Sequence, residues 1–158
     1  METLSPSNIS IVPILRSGLS MVDAVSSILP EPVPIFHLGM YREKTTLQPV
    51  EYYNNLPYTT STTAAAQQPS DLAILVDPII ATGQTASAAI DTLKDWGVKR
   101  IICCSVLASV GGLENAAQTW PEAVEFWVGG VDAETDEKGM IKPGVGDIGD
   151  RLFRTIGK

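Results

Sequence analysis

Residues 75–86 read Leu-Val-Asp-Pro-Ile-Ile-Ala-Thr-Gly-Gln-Thr-Ala, an apolar strand running into an acid, a turn and a small-residue helix start. Asp77 at the strand's end can accept hydrogen bonds from a ribose diol. The amides of Thr82, Gly83, Gln84 and Thr85, unpaired at a helix N-terminus, face a phosphate, and the Thr82 and Thr85 hydroxyls add donors. This is the layout of a ribose-phosphate cradle. The same residues could form an ordinary strand-turn-helix with Thr82 as its N-cap.

The elements that must hold this turn follow from the spacing of apolar residues. Ile- and Val-rich runs predict strands over 9–15, 33–41, 72–76, 100–107 and 124–128, and helices over 18–29, 84–96 and 112–120. A βαβ…βαβαβ order implies an α/β fold, a doubly wound and mostly parallel sheet covered on both faces. Ligands of such sheets sit at the carboxyl ends of the strands. The whole of 1–158 is expected to be a single domain. Between about 41 and 71 the pattern breaks into Arg42-Glu43-Lys44, Glu51-Tyr52-Tyr53-Asn54-Asn55 and a Thr, Ala, Gln and Pro-rich stretch. A hairpin flap is expected there, with 59–70 a tip or a plain surface insertion. A second loop over about 139–151 holds Gly139, Gly144, Gly146 and Gly149 with Pro143, Asp147 and Asp150. So much special backbone suits close approach to a ligand, or a run of tight turns.

Composition narrows the classes. With 158 residues, 44% of them hydrophobic, the chain has ample material for a core. Eleven basic against eighteen acidic side chains give a net charge of −7. That charge opposes nucleic-acid or anionic-membrane binding, so any phosphate must be captured locally. No basic-then-apolar leader or membrane-length apolar run is seen, and a cytoplasmic location is expected. Cys103 and Cys104 are adjacent in a strand and would point to opposite faces, so they are expected to be buried thiols. His37, in an apolar strand, is expected to be packed, Trp96, Trp120 and Trp127 to fill the core or an interface, and 132–137 to form a solvated hairpin.

Four ordered motifs together resemble one family, uracil phosphoribosyltransferase. They are Pro13-Ile14-Leu15-Arg16-Ser17-Gly18-Leu19-Ser20-Met21-Val22-Asp23, the flap run Gly39-Met40-Tyr41-Arg42-Glu43-Lys44-Thr45-Thr46-Leu47-Gln48-Pro49-Val50-Glu51-Tyr52-Tyr53, the Asp-x4-Thr-Gly-x-Thr turn at Asp77, and the loop over 143–153. The resemblance implies transfer of phosphoribosyl from phosphoribosyl pyrophosphate (PRPP) to N1 of uracil, giving UMP. It places Arg16 and, in the flap, Arg42 on the pyrophosphate, where a guanidinium can clamp oxygens bidentately. Without their motifs both could be surface or ion-paired arginines. By the same likeness Asp77, Pro78, Ile79, Ile80, Ala81, Thr82, Gly83, Gln84 and Thr85 hold the ribose hydroxyls and 5-phosphate. Ile141, Gly146 and Ile148 line the uracil site, whose peptide groups can match the base's acceptor-donor-acceptor edge. Asp147 would contact PRPP directly or through Mg²⁺ and water. Turn capping is the plainer role for Asp147 and Asp150, with Arg151 or a backbone amide as the partner of Asp150. Arg16, Arg42, Asp77 and Asp147 are the candidate catalytic set. Mg²⁺ would be carried by PRPP rather than by direct protein ligands. Pro78, where related PRPP enzymes often carry a second acid, matches the uracil branch.

The chain departs from the pattern in places. Ser17 and Ser20 stand where the family commonly has Ala and Gly, and Gln84 where a second Gly is common, so that Gln84 could donate to the phosphate or crowd it. Only Met1 to Asn8 precede the first strand, where the family usually carries several tens of residues more. A shortened relative, or cover from a partner subunit, is expected on that ground, and with it a homodimer or higher oligomer. The resemblance also implies GTP binding, to which no residue is assigned. Two alternatives stay open: a PRPP- or UMP-binding regulatory subunit without turnover, and a flavodoxin-like domain of unrelated function. The last explains the βαβ order but not Arg16, Arg42 and the 139–149 loop together.

Overall fold

The computed structural model describes residues 5–43, 45–46, 48–57 and 68–155. Strands β1 (Ile9–Leu15), β4 (Leu72–Val76), β6 (Arg100–Ser109) and β7 (Val124–Asp132) run parallel, and β2 (Leu38–Arg42) adds to β1 in the same sense. β3 (Pro49–Asn54) returns antiparallel on β2 as the flap hairpin, and the two-residue β5 (Ile79–Ile80) pairs with β6. The result is a seven-stranded, mostly parallel sheet in the order β3-β2-β1-β4-β6-β5, with β7 also on β6. Consecutive Ile, Val and Leu side chains in β1 and β4 are buried because helices lie on both sheet faces.

The larger core lies under α2 (Gln84–Trp96) and α3 (Val110–Ala117), where Leu75, Ile90, Leu93 and Ile101 are fully enclosed. A smaller one, around Ile11, Ile74 and Val76, packs under Met21, Val22 and Val25 of α1 (Leu19–Ile28). On the α1 side the sheet is open over β6 and β7, where Val106, Trp127 and Val131 are exposed. Trp127, 64% exposed, is therefore not a core residue, whereas Trp96 and Trp120 do pack against the larger core. His37 is half-buried at the entry to β2. The thiols of Cys103 and Cys104 are free, the first buried and the second half-buried.

Boundaries differ from the sequence expectation for local reasons. The strand expected over 33–41 begins only at Leu38, with a lone bridge from Ile35 to Ile11, since Pro32 and Pro34 lack the N–H that a ladder needs. α3 starts at Val110 because the Ser109 hydroxyl accepts from the Gly112 amide as an N-cap, and it stops short of Pro121. β6 and β7 run on to Ser109 and Asp132 because they stay paired to those residues. The acidic hairpin exists, as β8 (Glu134–Thr135) against β9 (Ile141–Lys142) around a turn that Asp136 organises through the Lys138 and Met140 amides. The expected loop over 139–151 ends in an unexpected short helix, α4 (Ile148–Phe153). Flap-tip residues 58–67 lie outside the described residues.

Candidate functional site

Asp77 leaves β4 at its carboxyl end and is 8% exposed. Its N–H donates to the Cys104 carbonyl at 3.2 Å, and its own carbonyl accepts the Ser105 hydroxyl. The carboxylate accepts from the Ser17 hydroxyl at 3.0 Å. Burial pushes the Asp77 carboxyl up to about 7, partly offset by the Ser17 hydroxyl and the Ile79 amide, which favour the anion. Ser17 reaches this position because the β1–α1 turn lies directly across the end of β4. A Cβ at Gly18 would stand 2.4 Å from the Val76 carbonyl oxygen, so only glycine permits the crossing.

The stretch after Asp77 is not one open turn. β5 occupies Ile79–Ile80, and the Ile80 side chain lies in the core, leaving only its main chain for a ligand. The Pro78 carbonyl accepts the Val106 and Leu107 amides, each at 3.0 Å. The Ala81 carbonyl accepts the Ser109 hydroxyl at 2.6 Å, and that of Thr82 accepts the Asn115 amide at 2.9 Å. α3, through its N-cap Ser109 and through Asn115, thus holds the carbonyl side of the turn. The N-cap of α2 is Gly83, at φ +79°, and not Thr82. No side chain caps this helix, whose first intrahelical bond runs from the Ser87 amide to Gly83. The Gln84 and Thr85 amides therefore carry the helix's positive end without a side-chain acceptor. The Gln84 Oε1 and, one turn on, the Ser87 hydroxyl are buried without a partner among the described residues.

Arg16, next to Ser17, turns the other way. Its side chain is 49% exposed and forms an ion pair with Asp150 of α4 at 3.0 Å. It also donates to the Thr155 hydroxyl at 3.2 Å, and its guanidinium lies 5.8 Å from the centre of the Phe153 ring. Asp150 is thus the partner of Arg16, while Arg151 donates to the Val145 carbonyl at 2.7 Å, which corrects the pairing expected between neighbours. Asp147 is the N-cap of α4, accepting from the Asp150 amide at 3.0 Å, with Ile148 as the helix's first residue. Gly146 adopts φ +72°, and Ile141 is buried in β9. Arg42 sits at the end of β2 in register with Pro49, and its side chain lies outside the described residues.

A continuous line of contacts therefore runs from the buried Asp77 carboxylate through Ser17 and Arg16 to α4 and its Asp147 cap. Two roles on that line, Ser17 as the carboxylate's donor and Asp150 as the guanidinium's acceptor, were not expected from sequence, where Ser17 was a departure from the family pattern and Asp150 a turn cap. Ser17 beside the glycine crossing is a usable local signal. Asp150 lies 134 positions from Arg16 and leaves none. An open groove of about 510 Å³ between β6 and β7 is lined by Cys104, Phe126, Trp127, Val128 and Gly129. It offers no charged side chain, and burial pushes the Cys104 thiol up, away from a reactive thiolate. The chemistry-bearing residues lie along the Asp77 line instead. No cluster of three His, Cys, Asp or Glu able to hold a metal occurs among the described residues.

Comparison with known proteins gives one consistent result. A sequence model described as uracil phosphoribosyltransferase matches residues 1–155. The chain is 51% identical over 152 residues to urg2 of Schizosaccharomyces pombe, a provisionally assigned uracil phosphoribosyltransferase, covering 96% of this chain and 69% of that one. It is 42% identical over 154 residues to the uracil phosphoribosyltransferase of Finegoldia magna, covering 98% and 69%. Among solved structures, the AQ2163 protein of Aquifex aeolicus superposes with a TM-score of 0.80 at 33% identity, over 92% of this chain and 64% of that one. A purine phosphoribosyltransferase of Pyrococcus horikoshii, at 18% identity and a TM-score of 0.52 over 83% and 73% of the two chains, shares the fold. The chain spans about two thirds of the length of these relatives.

Proposed function

The chain belongs to the uracil phosphoribosyltransferase family, and on that premise we propose that it transfers the phosphoribosyl group of PRPP to N1 of uracil, releasing pyrophosphate and forming UMP. The observation that carries this is a buried carboxylate at a strand's end, seven residues before an uncapped helix N-terminus. Ionised Asp77 accepts the ribose hydroxyls, and the Gln84 and Thr85 amides with the Thr82 and Thr85 hydroxyls take the 5-phosphate. Arg16 grips the pyrophosphate, with Arg42 joining from the flap. Uracil lies against Ile141, Gly146 and Ile148, read by main-chain groups, and Asp147 orients PRPP.

The bond from the anomeric carbon to pyrophosphate breaks as N1 of uracil bonds to that carbon, through an oxocarbenium-like transition state. The protein's part is alignment of base and anomeric carbon, and charge placed where the leaving oxygens develop it. Mg²⁺ would enter as a passenger on PRPP, as the family resemblance implies. It would be held by PRPP oxygens and, through water, by Asp147, and it supplies neutralising charge to the leaving group. No described helix is long and apolar enough to cross a membrane, and we place the protein in the cytoplasm with its substrates.

The test is direct. Incubation with labelled uracil, PRPP and Mg²⁺ should yield labelled UMP, and a folded protein that makes none at high concentration rejects the transfer reading. No observation favours a nucleotide binder without turnover. The exposed Val106, Trp127 and Val131 face suits association with a second copy. Light scattering after size exclusion should give at least twice the chain mass, and a monomer would remove that part.

A further inference from the structure

Arg16 is the residue on which pyrophosphate capture rests, yet its own element does nothing to fix its side chain. Among the described residues, the contacts that orient the guanidinium come from the far end of the chain. Asp150 accepts from NH2 at 3.0 Å, the Thr155 hydroxyl accepts from NH1 at 3.2 Å, and the Phe153 ring lies 5.8 Å from the guanidinium carbon. The Thr155 hydroxyl in turn donates to the same Asp150 oxygen. Acceptor, hydroxyl and guanidinium thus close a triangle that holds the arginine by both terminal nitrogens. A guanidinium has five N–H donors in a fixed fork, and these two bonds use one on each terminal nitrogen. Among the described residues the other three donors meet no acceptor and are available to a ligand.

The pair is half-exposed, at 49% and 28% for the two side chains, where an ion pair adds little to stability. Its consequence is orientation. α4 begins at the Asp147 cap and Ile148, the residues proposed for PRPP and uracil, so one short helix joins the base loop to the arginine.

We propose that Asp150 is a positioning residue: with Thr155 and Phe153 it presents the Arg16 guanidinium to the pyrophosphate of PRPP and ties that presentation to the base loop. This rests on the transfer reading above and adds that the capture site is completed by α4.

A double-mutant cycle on steady-state UMP synthesis tests it. Asp150→Ala should raise the KM for PRPP about tenfold, the scale of a lost bond to a charged group. Asp150→Asn, which keeps an acceptor oxygen, should recover part of that, and Thr155→Ala, which spares the ion pair, should show a smaller rise. In an Arg16→Ala background, adding Asp150→Ala should change the PRPP KM less than twofold. Multiplying losses in the double variant, an unchanged KM in the single one, or tighter PRPP binding would each overturn the proposal, the last by making Asp150 a competitor. Thermal midpoints of all variants identify any that fail to fold, in which case Thr155→Ala and Asp150→Asn carry the test. A wild-type protein that makes no UMP rejects the transfer reading, and this inference with it. A wild type that turns over while the cycle fails rejects this inference alone.

Discussion

Asp77 and Arg16 are separated by a single residue in space, Ser17, yet the molecule holds them by opposite means. Asp77 is buried and pinned by its own main chain, with N–H on Cys104, carbonyl on Ser105 and carboxylate on Ser17. The turn beyond it is braced by Ser109 and Asn115 of the neighbouring connection. The Arg16 side chain is half-exposed and, among the described residues, is held by side chains from the C-terminal end. A change in the first region therefore breaks fold and site together, while a change in the second should loosen binding and spare the fold.

The largest expected effect sharpens that contrast. Gly83 sits at φ +79°, and a Cβ there would lie 2.2 Å from the Gly112 carbonyl oxygen, while one at Gly112 would lie 2.2 Å from that of Ala81. Neither neighbour is a side chain that can swing away. Gly83→Ala combines positive-φ strain with a backbone clash and should lose about 3 kcal/mol or more in urea denaturation, with Gly112→Ala close behind. A loss below about 1 kcal/mol in both would show that the turn can yield.

Next comes the charge on Asp77. Its carboxyl is raised from 3.8 to about 7 by burial. Across that window the native state keeps a proton that the unfolded chain has released, so stability should fall as pH rises from about 4 to 7 and level off above. Activity should run the other way, with kcat/KM for PRPP rising through neutrality as the anion forms. The buried Cys103 thiol, pushed up by burial and then by Asp77 and Cys104, stays protonated throughout this range. Asp77→Asn should abolish the slope of stability with pH and cut UMP synthesis about a hundredfold. Ser17→Ala removes a bond that favours the anion and should shift the rise in activity to higher pH. A pH-independent wild type would mean that Asp77 is ionised despite its burial.

The same contrast explains what could be read from the chain. The Asp77 turn is contiguous, so acid, glycine and helix start sit within a dozen residues and declare their roles by type and spacing. The parallel sheet was equally legible, since buried strands are unbroken apolar runs. Proline cut back the strand expected over 33–41, a local effect that the sequence does carry. β5 was invisible because two residues gain a ladder only from β6 alongside them. α4 was masked by glycines that suggested loop, and its contact with Arg16 spans 134 positions. Side-chain clamps of that kind leave no periodicity.

The smallest expected effect lies in the flap, where the contrast can be tested on a third element at the edge of the sheet. Glu43, just beyond β2, accepts from the Thr45 amide at 2.9 Å and from that of Thr46. The Thr46 and then the Thr45 amide hold its carboxyl down at about 2, against an ordinary 4.5. A depressed value means that the contribution is present above 4.5 and lost only as pH falls through about 2, so between pH 5 and 8 the turn should be insensitive to pH. A bond local to a surface turn has little weight in global stability, but the turn closes the hairpin on which Arg42 sits in register with Pro49. Glu43→Gln should therefore speed hydrogen exchange at Thr45 and Thr46 while leaving the global unfolding midpoint unchanged. A fall in the midpoint would place the flap with Asp77, as part of the frame. Faster exchange alone would place it with Arg16, as an element held locally and adjusted by what it binds.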